Sequence, residues 1–246
     1  MFTHPLLGVD SYQLLFALLQ NYSSPLPGIA ISGIQEDSLH AKVLFKYFST
    51  LYDFFRREVL AQCSASLQDG VDGWLSRRSS NFRAKLKKAR RKGNHFKFER
   101  HQPQSLSEAV SLYQRMLAIE EKSWKGIDHC GMAESPSREF YGKLITELSK
   151  SGNAKVIIAK DENKDIGFIF GSCLGPYYRG QQFSFDQKYA KYSLGNLMQF
   201  EKIVWLCEND IKHYDMGPIT GPRMAYKEHW TEEKRSMCTW LLKPHK

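Results

Sequence analysis

Residues 181–196 read Gln-Gln-Phe-Ser-Phe-Asp-Gln-Lys-Tyr-Ala-Lys-Tyr-Ser-Leu-Gly-Asn, and their hydrophobic period changes midway. Gln182, Phe183, Ser184, Phe185 and Asp186 alternate as a strand with one apolar face does. From Ser193 the spacing is helical, with Leu197, Met198, Phe200, Ile203, Val204 and Leu206 on a recurring stripe. Ser193 is a good N-cap, and Gly195 keeps the first turn free of a side chain. A strand that feeds a helix through a short turn gathers unpaired N–H groups at one point. The helix dipole there favours an anion, most often phosphate, and Lys188 and Lys191 lie just upstream.

The charge is as localised as the pattern. The chain of 246 residues carries a formal net charge of +9. Arg77, Arg78, Arg83, Lys85, Lys87, Lys88, Arg90, Arg91 and Lys92 come in one run without an acid, so attraction to an anionic partner is local to it. A nucleotide-bearing donor, a phosphorylated acceptor or tRNA would each answer it; a solvated helix face is the plainer reading. Five scattered cysteines without a C-x-x-C argue for reduced thiols in the cytosol. No apolar run approaches the ~18 residues of a membrane span, and the N-terminus lacks the basic and apolar regions of a signal peptide. A cytoplasmic protein is expected. No H-x-x-x-H or H-E-x-x-H is present, so no metal is expected.

Helices are expected over residues 12–22, 38–51, 72–92, 105–124, 136–151 and 193–209. Strands are expected over 28–34, 54–67, 95–100, 154–160, 165–173, 181–188, 212–216 and 237–242. Ser105 and Glu108 have capping-box spacing. Residues 161–165 and 175–180 read as hairpin turns.

From Ser105 the order is helix, helix, three antiparallel strands, helix, strand, with the phosphate-type turn after the third strand. This resembles the GNAT acyltransferase fold. Glu121-Lys-Ser-Trp124-Lys125-Gly126, Phe185-Asp186, Tyr192-Ser193-x-Gly195, Tyr214-Asp215-x-Gly217 and Tyr226-Lys227-x-x-Trp230 narrow it. They resemble the GNAT subfamily of cellulose-biosynthesis-type acetyltransferases, related to the Fem peptidyltransferases that move amino acids from aminoacyl-tRNA onto cell-wall precursors. The resemblance implies an α/β (α+β) fold, a mixed and largely antiparallel sheet flanked by helices, over residues 71–246. A partial GNAT-like lobe is expected over residues 1–70. It implies acyl-CoA, such as acetyl-CoA, as co-substrate and a small-molecule or peptidyl amine as acceptor. Of the common acetyl-CoA loop, Arg/Gln-x-x-Gly-x-Gly/Ala, only Gly195 is matched, with Tyr192 and Leu197 at the outer positions. Aminoacyl-tRNA therefore stands as the alternative donor, and a non-catalytic nucleic-acid or partner-binding paralogue as a further one. A homo-oligomer is compatible with the sequence.

Roles for single residues follow. Tyr192, Ser193, Gly195, Asn196 and Lys191 would hold the donor's phosphates. Asp186 would take the proton of the attacking amine or hold it as ammonium; equally, it is a strand-end Asp satisfied by backbone N–H groups. Lys227 matches the aromatic-Lys pair at the reaction centre of the Fem relatives, which implies a part in stabilising the carbonyl oxygen or a phosphate. Glu121 would bind the acceptor amine, or pair with Lys125 four residues on. Trp124, Lys125, Tyr226, Trp230 and Arg83 complete the expected substrate-binding set, with core packing as the alternative for Trp124.

Overall fold

The computed structural model describes residues 10–22 and 25–245. In chain order the elements are α1 (Asp10–Gln20), β1 (Ile29–Gln35), α2 (Leu39–Phe48), β2 (Tyr52–Ser66), α3 (Gly70–Ser76), α4 (Ser80–Lys92) and β3 (Lys97–His101). There follow α5 (Leu106–Glu120), α6 (Trp124–Ile127), α7 (Ser137–Lys150), β4 (Ala154–Asp161), β5 (Lys164–Leu174), β6 (Tyr177–Phe185), α8 (Leu194–Glu208), β7 (His213–Pro218) and β8 (Glu233–Pro244). Short 3-10 segments cover Gln187–Tyr192 and Pro222–His229.

These elements fall into two compact units that do not divide at a single chain position. One takes the described residues up to Cys63, Gly217–Glu228 and those from Glu233 onward. Its strands stand in the order β1-β8-β2, with β1 and β8 antiparallel. Ala41, Leu44 and Phe48 recur at helical spacing on α2 and are buried with Tyr12, Tyr52, Trp240 and Leu242. Ser38 starts that helix by accepting the Ala41 N–H.

The second unit, Ser64–Met216 with His229–Glu232, holds strands in the order β7-β6-β5-β4-β3. The β3–β4, β4–β5 and β5–β6 pairs are antiparallel and β6–β7 is parallel. The expected mixed, largely antiparallel sheet flanked by helices is therefore present. Residues 154–159 of β4 are all buried, because helices cover both faces. Val156, Ile158, Phe168 and Phe170 meet α5 and α7 on one face. Ala159 and Ile169 meet Leu194, Leu197 and Met198 of α8 on the other.

The expected boundaries need four corrections. The basic helix is two helices, α3 and α4: Ser79 accepts the Phe82 N–H and restarts the chain as an N-cap. α5 stops at Glu120, and Ser123 caps a separate turn beginning at Trp124. Tyr177, Tyr178, Arg179 and Gly180 are strand, so the β5–β6 connection is only Gly175 and Pro176. β6 ends at Phe185, and Lys188 belongs to the following 3-10 segment.

Candidate active site

β6 and β7 are registered over only three residue pairs, Tyr177–His213, Tyr178–Tyr214 and Arg179–Asp215. β6 runs on to Phe185, paired with β5 alone. Opposite β5 the register slips between Phe170–Gln182 and Gly171–Gly180, which leaves Gln181 bulged. The Asp186 N–H bonds to the Ile166 carbonyl at 2.9 Å, and this fixes the alternation along the ladder. Phe183 and Phe185 then sit in non-hydrogen-bonded pairs, with their amide groups pointing away from β5. Past Arg179 the far edge of β6 faces the side from which β7 has parted.

The connection from this strand to α8 is longer than the short turn expected. Asp186 is 3% exposed; its Oδ1 accepts the Lys188 N–H at 3.0 Å, and its Oδ2 lies 3.9 Å from Lys164 Nζ. It caps the 3-10 segment. Tyr189 Oη donates to Asp161 Oδ2 at 3.0 Å, and burial first, then Asp161, pushes its phenol up to about 12. Ser193 is not the expected side-chain cap: it sits in the left-handed region at φ 58° and makes no capping hydrogen bond. Its carbonyl instead accepts the Asn196 and Leu197 N–H groups. Among the described residues the Leu194 and Gly195 N–H groups have no hydrogen-bond partner. Leu194 is wholly buried, so the donor within reach of a ligand is the N–H of half-buried Gly195, at the positive end of a 15-residue helix. Lys191 is exposed, with its ammonium 5.2 Å from the Tyr192 ring. Tyr192 in turn packs edge-on against His95 and Phe96.

The missing side chain of Gly195 faces the sheet. A Cβ there would lie 3.1 Å from the Phe185 ring and 3.2 Å from the Phe183 ring. Its missing side chain lets α8 lie close on β6.

On the opposite face of the sheet the Glu121–Lys125 motif acts through a neighbour that the sequence reading passed over. Glu121 is exposed, its N–H bonded to the Leu117 carbonyl at the end of α5. Glu120 is fully buried; its carboxylate accepts the Met132 N–H at 3.0 Å and the Ser123 hydroxyl at 3.4 Å. Lys125 Nζ lies 4.0 Å from that carboxylate and donates to the Phe183 carbonyl and to Gln182 Oε1, each at 2.9 Å. Burial pulls the Lys125 amine below the ordinary lysine value while Glu120 pulls it up. Tyr141 hydrogen-bonds Gln182, and burial raises its phenol. The Glu120 signal was available: it stands four residues after Met116 and eight after Leu112, on the apolar stripe of α5.

The remaining predicted residues have partners of their own. Trp230 is 1% exposed and stacked on Trp74, with ring centroids 5.5 Å apart; its carbonyl accepts Trp74 Nε1 at 3.1 Å. It is a packing residue, because a side chain so enclosed offers a substrate no surface. Arg83 donates to the Arg78 carbonyl at 2.9 Å and to those of Leu75 and Ser76 at 3.4 Å, closing the end of α3. Tyr226 and Lys227 belong to the other unit, where Lys227 Nζ donates to the Pro218 carbonyl at 2.7 Å. Trp124 is half-buried at the start of α6. On α4, Lys85, Lys87, Lys88, Arg91 and Lys92 are exposed and without acidic partners among the described residues. Gly93, which ends α4, abuts the Leu197 side chain in the first turn of α8. No group of three His, Cys, Asp or Glu among the described residues could hold a metal, and no described helix is long and apolar enough to cross a membrane.

No curated protein matches the sequence. Similar solved structures include FemX, at 10% identity and TM-score 0.62, covering 96% of this chain and 79% of that one. L-PGS from Bacillus licheniformis is similar at 14% identity and TM-score 0.60, with 94% and 71% covered. A conserved protein of unknown function from Bacteroides thetaiotaomicron is similar at 14% and TM-score 0.63, with 95% and 76% covered. At these identities the likeness is one of fold. Residues 76–228, more than half of the chain, match the acetyltransferase (GNAT) domain family. With that match and the splayed β6–β7 pair, the chain belongs to the GNAT superfamily of acyltransferases, and its fold is similar to that of FemX.

Proposed function

We propose that this protein transfers an acyl group from an acyl-CoA thioester to an amine, directly, with both substrates bound. One observation carries the reading: among the described residues the N–H of half-buried Gly195 has no partner, at the start of α8 against Phe183 and Phe185 of the stretch of β6 past its last β7 pair. A diphosphate suits that donor and the helix dipole, and exposed Lys191 adds a positive charge. The pantetheine arm would then run along the exposed edge of β6. That edge would align the thioester with an amine arriving from the α5–α6 side, which removes much of the entropic cost of reaction. The amine nitrogen bonds the acyl carbon, the C–S bond breaks, and the departing thiolate takes up the proton that the nitrogen loses. Asp186 serves this site by shaping the turn, since its carboxylate is committed to the Lys188 N–H. Thermal shifts across a panel of CoA thioesters test the reading: concentration-dependent stabilisation is expected.

Aminoacyl-tRNA as donor is the second reading, favoured by the unpaired cations of α4 and by the FemX-like fold. Salt titrations separate the two. Binding through six to ten phosphates would weaken about 10³–10⁵-fold between 50 and 200 mM salt, whereas a diphosphate ligand would weaken far less.

A further inference from the structure

We infer that Lys125 is the cation that supports negative charge on the acyl carbonyl oxygen, held in place for that task by Glu120. The inference rests on the acyl-transfer reading and deepens it.

Four observations converge on this amine. Its position is fixed by two acceptors, Gln182 Oε1 and the Phe183 carbonyl. The Phe183 carbonyl belongs to the stretch of β6 past its last β7 partner, on the edge that points away from β5. An ammonium has three donors, and these two acceptors leave one. The Glu120 carboxylate, with no exposure to water, lies 4.0 Å away and favours the charged form of Lys125 against the larger opposing effect of burial.

Glu120 is held in turn. Its oxygens take the Met132 N–H and the Ser123 hydroxyl, while Ser123 Oγ accepts the Lys125 and Gly126 N–H groups. Helix end, capped turn and loop therefore set the amine's position together. The Gln187 N–H adds a bond to the Lys122 carbonyl at 3.2 Å, which ties this turn to the end of β6. A preorganised cation costs no reorganisation when charge develops on the carbonyl oxygen, and a single such donor is worth about 10²–10³ in rate.

The chemistry needs no further reagent. Attack by the amine moves the carbonyl π electrons onto oxygen, where Lys125 stabilises them. Their return expels the thiolate, and the amine proton leaves with the sulfur or to solvent. Lys125 keeps its own proton throughout.

The test uses the whole chain with acetyl-CoA as donor and hydroxylamine as a small nucleophilic acceptor, following release of free CoA thiol. Lys125→Met is expected to bind acetyl-CoA within about threefold of the parent and to lose about 10²–10³ in turnover. Glu120→Gln, which leaves the amine in place but loosens it, is expected to lose less. Lys125→Arg should recover part of the rate. Unchanged turnover in Lys125→Met overturns the inference. Parallel loss of donor affinity and thermal stability also overturns it, because Lys125 is then a structural latch between α6 and β6. A parent protein that binds no acetyl-CoA is a different result, and overturns the acyl-CoA reading itself.

Discussion

Gly195 at the start of α8 and Phe185 at the end of β6 approach so closely that a Cβ on the glycine would stand 3.1 Å from the aromatic ring. In the sequence Gly195 reads only as a residue that keeps the first turn of a phosphate-binding helix clear, so a bulky replacement would be expected to affect donor binding alone. The packing predicts otherwise. Gly195→Val forces Phe185 and Phe183 aside and is expected to cost about 1–3 kcal/mol, which differential scanning calorimetry would read as a lower melting temperature. Gly195→Ala combines a helix-propensity gain of about 1 kcal/mol with a milder clash and should sit near the parent.

A cleaner probe of the helix N-terminus is Asn196, half-exposed in the same turn. A carboxylate in the first turn complements the helix dipole, so Asn196→Glu should keep or slightly raise the melting temperature. Beside a bound diphosphate the same charge repels. The predicted outcome is a loss of at least tenfold in CoA affinity by calorimetric titration, shrinking with salt. Unaltered affinity would place the phosphates elsewhere.

Lys202 offers a test of stability against pH. It is fully buried, its Nζ has no hydrogen-bond partner among the described residues, and it lies over the Trp205 ring at 4.5 Å and the Tyr178 ring at 4.8 Å. Burial pushes its amine well below the ordinary value, with the nearby Lys155 and Arg100 adding to the effect. Below the unfolded value of about 10.4 the unfolded chain binds a proton that the folded chain holds less tightly. Stability from this group therefore rises with pH toward about 10.4 and falls on the acid side. Lys202→Met should stabilise the protein by about 1–3 kcal/mol at neutral pH, with the gain shrinking as pH approaches 10. A variant destabilised at every pH would mean that the two ring contacts outweigh the cost of burying the amine.

Glu232 binds three donors at once: Arg77 Nε at 3.1 Å, the Ser66 N–H at 3.0 Å and the guanidinium of Arg78, which is nearly buried. Glu232→Gln removes the charge and leaves Arg78 without its counter-ion. A loss of about 3–5 kcal/mol is expected in urea unfolding. A change under about 1 kcal/mol would show that solvent already screens the pair.

Much of this architecture is written in local patterns. The 3.6-residue stripe of α5 and the two-residue alternation of β6 are visible before any coordinates, as is the order of elements that leads to the GNAT resemblance. The site was less legible, for physical reasons. Ser193 reads as an N-cap, but the 3-10 segment before it delivers the chain in a left-handed conformation, and its hydroxyl makes no capping bond. Asp186 reads as either a catalytic base or a cap, and the cap becomes visible only once the Lys188 N–H is placed against its carboxylate. Glu121 attracts notice by preceding Lys-Ser-Trp, yet the turn of α5 puts Glu120 inside and Glu121 in water. Trp230 looks like a pocket wall and is held by Trp74, 156 residues away, a pairing that no local period records.

Titration with CoA and with pantetheine, which shares the thiol arm but lacks the diphosphate, tests the central claim most directly. The account predicts saturable, heat-evolving binding of CoA, retained largely by 3′-dephospho-CoA and weakened at least a hundredfold for pantetheine. Equal affinity for CoA and pantetheine, or no binding of CoA at millimolar concentration, would contradict it.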